Sequence, residues 1–216
     1  MELAKYTRSE EIFNTTSHIV GCAISIAMIV LGVVKAAFTG DAFYVVSFAL
    51  YGSSVFIMFC ISSIYHGLKP CLGKKVMRVI DHCDIYFCIA GTYTPILLCG
   101  IRPFNPVLAW TIFGIEWGIA LIAACLVAIN MKKFFKISIA IYIIQGWCLI
   151  VAIPATITAM GVEGFALLLS GGIAFTIGAV IYVVSKKKNV KFGHSIFHIF
   201  VVVGIVLQFL SILFYV

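Results

Sequence analysis

The sequence predicts an all-α membrane protein, a bundle of seven transmembrane helices, on three observations. Hydrophobic residues make up 63% of the chain and charged residues only 11%, less than half the roughly 25% of a soluble domain. Seven apolar stretches are long enough to cross a bilayer, which takes about 20 residues of helix. The lysines and arginines gather in alternate connections, as they do when successive helices run in opposite directions.

The stretches lie at approximately 17–38, 43–65, 79–100, 107–129, 135–158, 162–184 and 194–216. The polar segment before the first, MELAKYTRSEEIFNTTSH, has no short apolar core followed by a small-residue cleavage site, so no cleavable signal peptide is expected. Short connections predict a single domain in which neighbouring helices are mostly antiparallel. In the third stretch, Gly91-Thr92-Tyr93-Thr94-Pro95 joins small residues to a helix breaker, which predicts close helix contact or a bend. Glu116, Gln145, Pro154 and Gln208 read as buried or packing residues of the later helices.

Of 15 lysines and arginines, 13 fall on one side: Lys5, Arg8, Lys69, Lys74, Lys75, Arg78, Lys132, Lys133, Lys136, Lys186, Lys187, Lys188 and Lys191. Only Lys35 and Arg102 fall on the other. The expected orientation is therefore N-terminus cytoplasmic and C-terminus extracytoplasmic, with a multi-pass location in the cell membrane. The formal charge of +7 is explained by basic loops lying against anionic lipid headgroups, so no nucleic-acid partner is expected. Seven of the eight cysteines sit in apolar runs and no C-x-x-C occurs; they read as small buried hydrophobes rather than a disulfide scaffold.

This topology places the polar residues. The second helix ends with Ser62 and His66, the third begins with Asp81, His82 and Asp84, and the last begins with His194 and His198. The first carries Glu11, Asn14 and His18 on one face. All five histidines thus fall near the inner leaflet, where ionisable groups point into a bundle or cavity. His194 and His198, four residues apart, share a helix face. With His66 they make a three-imidazole set for zinc, leaving a fourth position for water as in catalytic sites. Asp81 is expected to hold that water as general base, or else to act as a direct or outer ligand. Ser62 either bonds the water or an oxyanion, or bonds back to its own helix carbonyl. His18 is expected to hydrogen-bond Asn14, or else to serve as a fourth ligand, and His82 to sit at the membrane interface.

The combination Glu11-x-x-Asn14-x-x-x-His18, Ser62-x-x-x-His66, Asp81 ahead of Gly91-Thr92-Tyr93-Thr94-Pro95, and His194-x-x-x-His198 resembles the haemolysin III proteins. These are bacterial relatives of the progestin and adiponectin receptors. The resemblance covers nearly the whole chain and implies zinc held by His66, His194 and His198, with Asp81 near the metal through water. Through the wider set, which includes alkaline ceramidases, it implies hydrolysis of a lipid amide. The long cytoplasmic N-terminal domain of the receptor branch is not expected here, and neither is hormone reception. The leading expectation is a zinc-dependent intramembrane hydrolase of a lipid amide or ester, with membrane lipids as substrate. The alternative is a non-enzymatic haemolysin or a regulator of membrane fluidity with structural zinc. A transporter using Asp81, Asp84 and Glu116 is a third reading.

Overall fold

The computed structural model of the protein describes residues 3 and 6–216, with Lys136 described by its backbone alone. Lys5 and the side chain of Lys136, both counted in the charge asymmetry, lie outside the described residues. Helix α1 spans Arg8–Ala37 and shows the pattern that organises the whole chain. Its buried face runs Glu10, Asn14, His18, Gly21, Ser25, Met28, Gly32 and Ala36, a stripe of small and polar residues at helical spacing. Its large apolar residues, among them Ile19, Ile26, Val30 and Val34, are exposed. That arrangement inverts a soluble helix and suits one facing lipid, where small residues let helices approach.

Six helices are long and apolar enough to cross a membrane, and no strand occurs among the described residues. Helix α1 starts nine residues before the expected apolar stretch, because Thr7 and Glu10 form a reciprocal capping box that satisfies the first free amides. The T-x-x-E signal stands in the sequence, but a search for apolar length does not detect it. Helix α2 spans Ala42–Gly67, capped by Asp41. Helix α3, Leu72–Pro95, starts seven residues before the expected stretch and is the most enclosed of the spans. It passes at Pro95 into a π-helical turn, Ile96–Ile101, the kind of irregularity a residue without an amide proton introduces.

Helix α4 spans Pro106–Gly146 and covers the expected fourth stretch and half of the fifth. The loop expected near residue 130 is one residue: Asn130 leaves helical geometry (φ −154°, ψ 81°) and caps the next turn, its Oδ1 accepting from Lys133 N. The expected fifth stretch is itself broken. After Gly146 comes a 3-10 turn, Cys148–Ala152, and then α5, Ile153–Lys188. Tyr93 stitches this break, its hydroxyl donating to Gly146 O at 2.8 Å and accepting from Leu149 N at 3.3 Å. Within α5, Gly161 adopts φ 70°, a left-handed conformation open to glycine at little cost. Helix α6 spans Gly193–Tyr215 and packs along α5.

Two sequence expectations for the interior hold in detail. A Cβ on Gly91 would collide with the Ser54 side chain, so this motif brings α3 hard against α2. Glu116 is fully buried, its carboxyl beside the side chains of Cys148 and Gln145. Nearby, Gln145 joins α3 to α4 by donating to the carbonyls of Tyr86 and Glu116.

The α5–α6 contact depends on glycine. A Cβ on Gly171 would stand 2.8 Å from the backbone oxygen of Gly204 and 2.5 Å from Gln208 Cγ. The backbone of α6 cannot give way without the two helices separating. Gly171→Leu is therefore expected to destabilise the protein by about 1–3 kcal/mol, as overpacking does, while Gly114→Ala, where nothing lies within 4 Å, is neutral. Thermal unfolding of both variants in detergent checks this.

Candidate metal centre

Four helices bring their polar residues to the same end of the bundle. Helix α2 ends there with Ser62 and His66, and α3 begins there with Asp81 and His82. Helix α6 begins with His194 and His198, after Phe192 turns the chain at φ 59°. Gly193 is needed at that turn, because a Cβ would collide with the Ser185 side chain. The start of α1 is tied to the same turn: Glu10 Oε1 accepts from Phe192 N at 2.8 Å.

The ligand nitrogens of His66, His194 and His198 lie within 4.8 Å of one another. His194 Nε2 is 3.3 Å from His66 Nε2 and 3.0 Å from His198 Nε2. Nitrogens placed about 2.0–2.1 Å from a tetrahedral zinc stand roughly 3.3–3.4 Å apart, so the observed spacing and the all-imidazole donor set fit such an ion. His66 and His198 are each 2% exposed. Three buried imidazoles with their Nε2 atoms turned on one another form a trio that could bind a metal.

Other residues complete the surroundings. Asp81 is not one of the three converging groups; its carboxylate lies beside the Ser62 hydroxyl and 3.7 Å from His82 Nδ1. Ser62 thus faces Asp81. His82 is half-buried beside Asp81, with Nδ1 3.0 Å from Arg78 O, and it faces the interior of the bundle.

His18 is not bonded to Asn14. Both its ring nitrogens lack a partner among the described residues, and its ring lies 3.9 Å from that of His198. Asn14 turns instead to α6, its Oδ1 accepting from Ser195 Oγ at 2.7 Å. Asn14 and His18 are one turn apart on α1, but the neighbouring helix offers Asn14 a hydroxyl at better distance than its own helix offers an imidazole. Asp84, one turn deeper, is buried with neither oxygen partnered among the described residues.

Sequence reasoning misses two groups at this site. Tyr6 roofs the cluster: its ring stacks on His194 with centroids 5.1 Å apart and an angle of 11° between planes. Burial pushes its hydroxyl well above the ordinary tyrosine value, so it stays neutral beside the histidines. The second is the pair Glu11 and Lys74, joined at 2.6 Å, with Glu11 Oε2 also 2.7 Å from His66 Nδ1. Glu11 is legible as part of a polar face; Lys74 is legible only as a loop charge.

A cavity of about 190 Å³ extends from the histidines into the bundle. By the same measure one water takes about 10–15 Å³, so the space is of ligand size. His18, Ser62, Asp81, His194 and His198 line its polar head, while Met58, Ile85, Ile89, Phe175, Val201 and Ile205 make an apolar body that reaches Gln208. Gln208 thus faces a cavity as well as α5.

The sequence profile of the family described as Haemolysin-III related matches residues 6–209. Hemolysin-3 of Bacillus cereus is 37% identical over 207 residues, covering 96% of this chain and 92% of the relative. The Hemolysin-3 homolog of Bacillus subtilis is 34% identical over 210 residues, covering 97% and 96%. The monocyte to macrophage differentiation factor of Homo sapiens is 25% identical, covering 90% of this chain and 82% of the relative, which fits the wider progestin and adiponectin receptor superfamily. No solved structure matches the chain. A profile match along nearly the full length, two relatives above 30% identity and six apolar helices make this chain a member of the haemolysin III family and a multi-pass protein of the bacterial cell membrane.

Proposed function

We propose that the protein is a zinc-dependent hydrolase of a membrane lipid amide or ester. The observation that carries this reading is the convergence of three imidazole Nε2 atoms at the head of a long apolar cavity. His66, His194 and His198 would hold the zinc, which supplies Lewis acidity and acidifies water. Asp81, beside the cluster, is placed to accept a proton from the attacking water. Ser62, directed at Asp81, orients that carboxylate and offers a hydroxyl to the developing oxyanion. The apolar body of the cavity takes an acyl chain, with the scissile bond left at the polar head.

In this reading the chain is one domain crossing the membrane seven times. The 52-residue apolar segment Ile137–Lys188 is about 78 Å of helix at 1.5 Å per residue, far more than one crossing of about 30 Å needs. The breaks at Asn130, Gly146–Trp147 and Gly161 allow the chain to turn between crossings. The N-terminus is cytoplasmic, and the basic connections lie against anionic headgroups. A second reading rests on the names of the bacterial relatives, Hemolysin-3 and Hemolysin-3 homolog: a non-enzymatic cytolytic protein, or a regulator of membrane fluidity, whose metal is structural.

Purified protein is expected to carry about one zinc per chain. His194→Ala loses both the metal and lipid cleavage, measured by elemental analysis and lipid mass spectrometry. Cleavage that persists in a metal-free variant rejects the hydrolase reading, and erythrocyte lysis unchanged in His66→Ala separates any lytic effect from the metal. Asp81→Asn is expected to keep zinc while cleavage falls about 10²–10⁴-fold, the range for loss of a general base. For orientation, Cys71 is exposed between α2 and α3. A membrane-impermeant maleimide should leave it unlabelled in intact cells and label it after permeabilisation; labelling in intact cells reverses the proposed topology.

A further inference from the structure

His66 differs from the other two imidazoles in what stands behind it. No side chain among the described residues stands in hydrogen-bond contact with the Nδ1 atoms of His194 and His198, and His198 meets the backbone of Asn14. His66 Nδ1 lies 2.7 Å from Glu11 Oε2. The other oxygen of Glu11 accepts from Lys74 Nζ at 2.6 Å. Lys74 is only 4% exposed, and its ammonium also donates to Leu68 O at 2.8 Å and His66 O at 3.4 Å. Three helices therefore meet in one line: α1 supplies the carboxylate, α2 the imidazole, and the first turn of α3 the ammonium.

The chemistry of imidazole gives this line a direction. A neutral imidazole carries its proton on one nitrogen and offers a lone pair at the other. An acceptor at Nδ1 holds the proton there and leaves Nε2 bare. The amide nitrogen of Asn14 is 3.5 Å from the same Nδ1, but a donor cannot bond a nitrogen that already carries a proton. The nearer partner is an acceptor, so Glu11 decides the tautomer, and Nε2 is left facing His194. An ion pair formed only to steady the ends of α1 and α3 would need one oxygen of Glu11. It gives no reason for the second to lie on His66.

We propose that Glu11 is the positioning residue for His66. It holds the Nδ1–H so that Nε2 is presented to the metal, and Lys74 locks Glu11 in that pose. This inference rests on the zinc reading above. A carboxylate behind a ligand imidazole fixes its ring and strengthens its donor nitrogen, and losing one weakens metal binding by about 10–100-fold.

The test uses the full-length protein in detergent, titrated with zinc against a chromophoric chelator and with cobalt as a spectroscopic probe. Glu11→Gln is expected to weaken zinc binding by about 10–100-fold and to alter the cobalt visible spectrum, and Lys74→Met shifts both in the same sense by less. A role confined to folding would lower the thermal midpoint of the metal-free protein and leave affinity and spectrum unchanged. That result overturns the proposal. If Glu11→Gln alone fails to fold, the double variant Glu11→Gln/Lys74→Met, which leaves no buried charge unpaired, replaces it. In the unsubstituted protein, ¹⁵N shifts of labelled histidine should show His66 protonated at Nδ1; a proton on Nε2 of the metal-free protein also overturns it. Wild-type protein that binds no zinc defeats the hydrolase reading itself. Wild-type binding with unchanged affinity in Glu11→Gln defeats only the role given to Glu11.

Discussion

Hydrocarbon offers no hydrogen-bond partner and screens no charge, so a polar side chain carried into the bilayer must find its partner inside the bundle. The helices of this protein are arranged under that constraint. Helix α1 turns Asn14, His18 and Ser25 inward and leaves Ile19, Ile26 and Val30 outside. The hydroxyls of Thr92, Thr94 and Thr156 close onto backbone carbonyls four residues earlier. Where a helix breaks, a neighbour repairs it, as Tyr93 does for the gap after Gly146.

The histidine cluster is the part of the interior where this closure is incomplete in a way that favours chemistry. Both nitrogens of His18 and the Nδ1 atom of His194 are left without partners among the described residues, while the Nε2 atoms of His66, His194 and His198 are turned on one another. Imidazoles whose like nitrogens face one another are poorly satisfied by those contacts alone, and this trio could bind a metal. The carboxylate and ammonium behind His66 fix the one ring that α6 does not carry.

The apolar body of the cavity follows from the shape of α3 and α5 as well as from their composition. Pro95 passes α3 into a wide turn, and the break from Gly146 to Ala152 interrupts the wall opposite. Gly171 brings α5 close to α6, while Phe175, Val201 and Ile205 face the enclosed space. The polar head and the apolar body therefore belong to one chamber.

Much of this is legible in the residues. Depth along a helix can be counted from sequence, so Ser62, His66, Asp81, His194 and His198 are assigned to one level by counting alone. The i,i+4 spacing also puts His194 and His198 on one face. Rotation about each helix axis is set by packing against neighbours, and no local pattern reports it. For that reason the sequence favours Asn14 over the other histidines as the partner of His18, whereas its ring lies against that of His198, and it does not reveal that His82 lines the cavity. The cost of polar groups in hydrocarbon is enough to derive, from residue order, a helical membrane protein with its histidines at one level. Which of them converge, that Glu11 and Lys74 stand behind His66, and that Tyr6 covers His194 are settled by the packed bundle. Those contacts join residues far apart along the chain, and their approach depends on how the helices lean on one another.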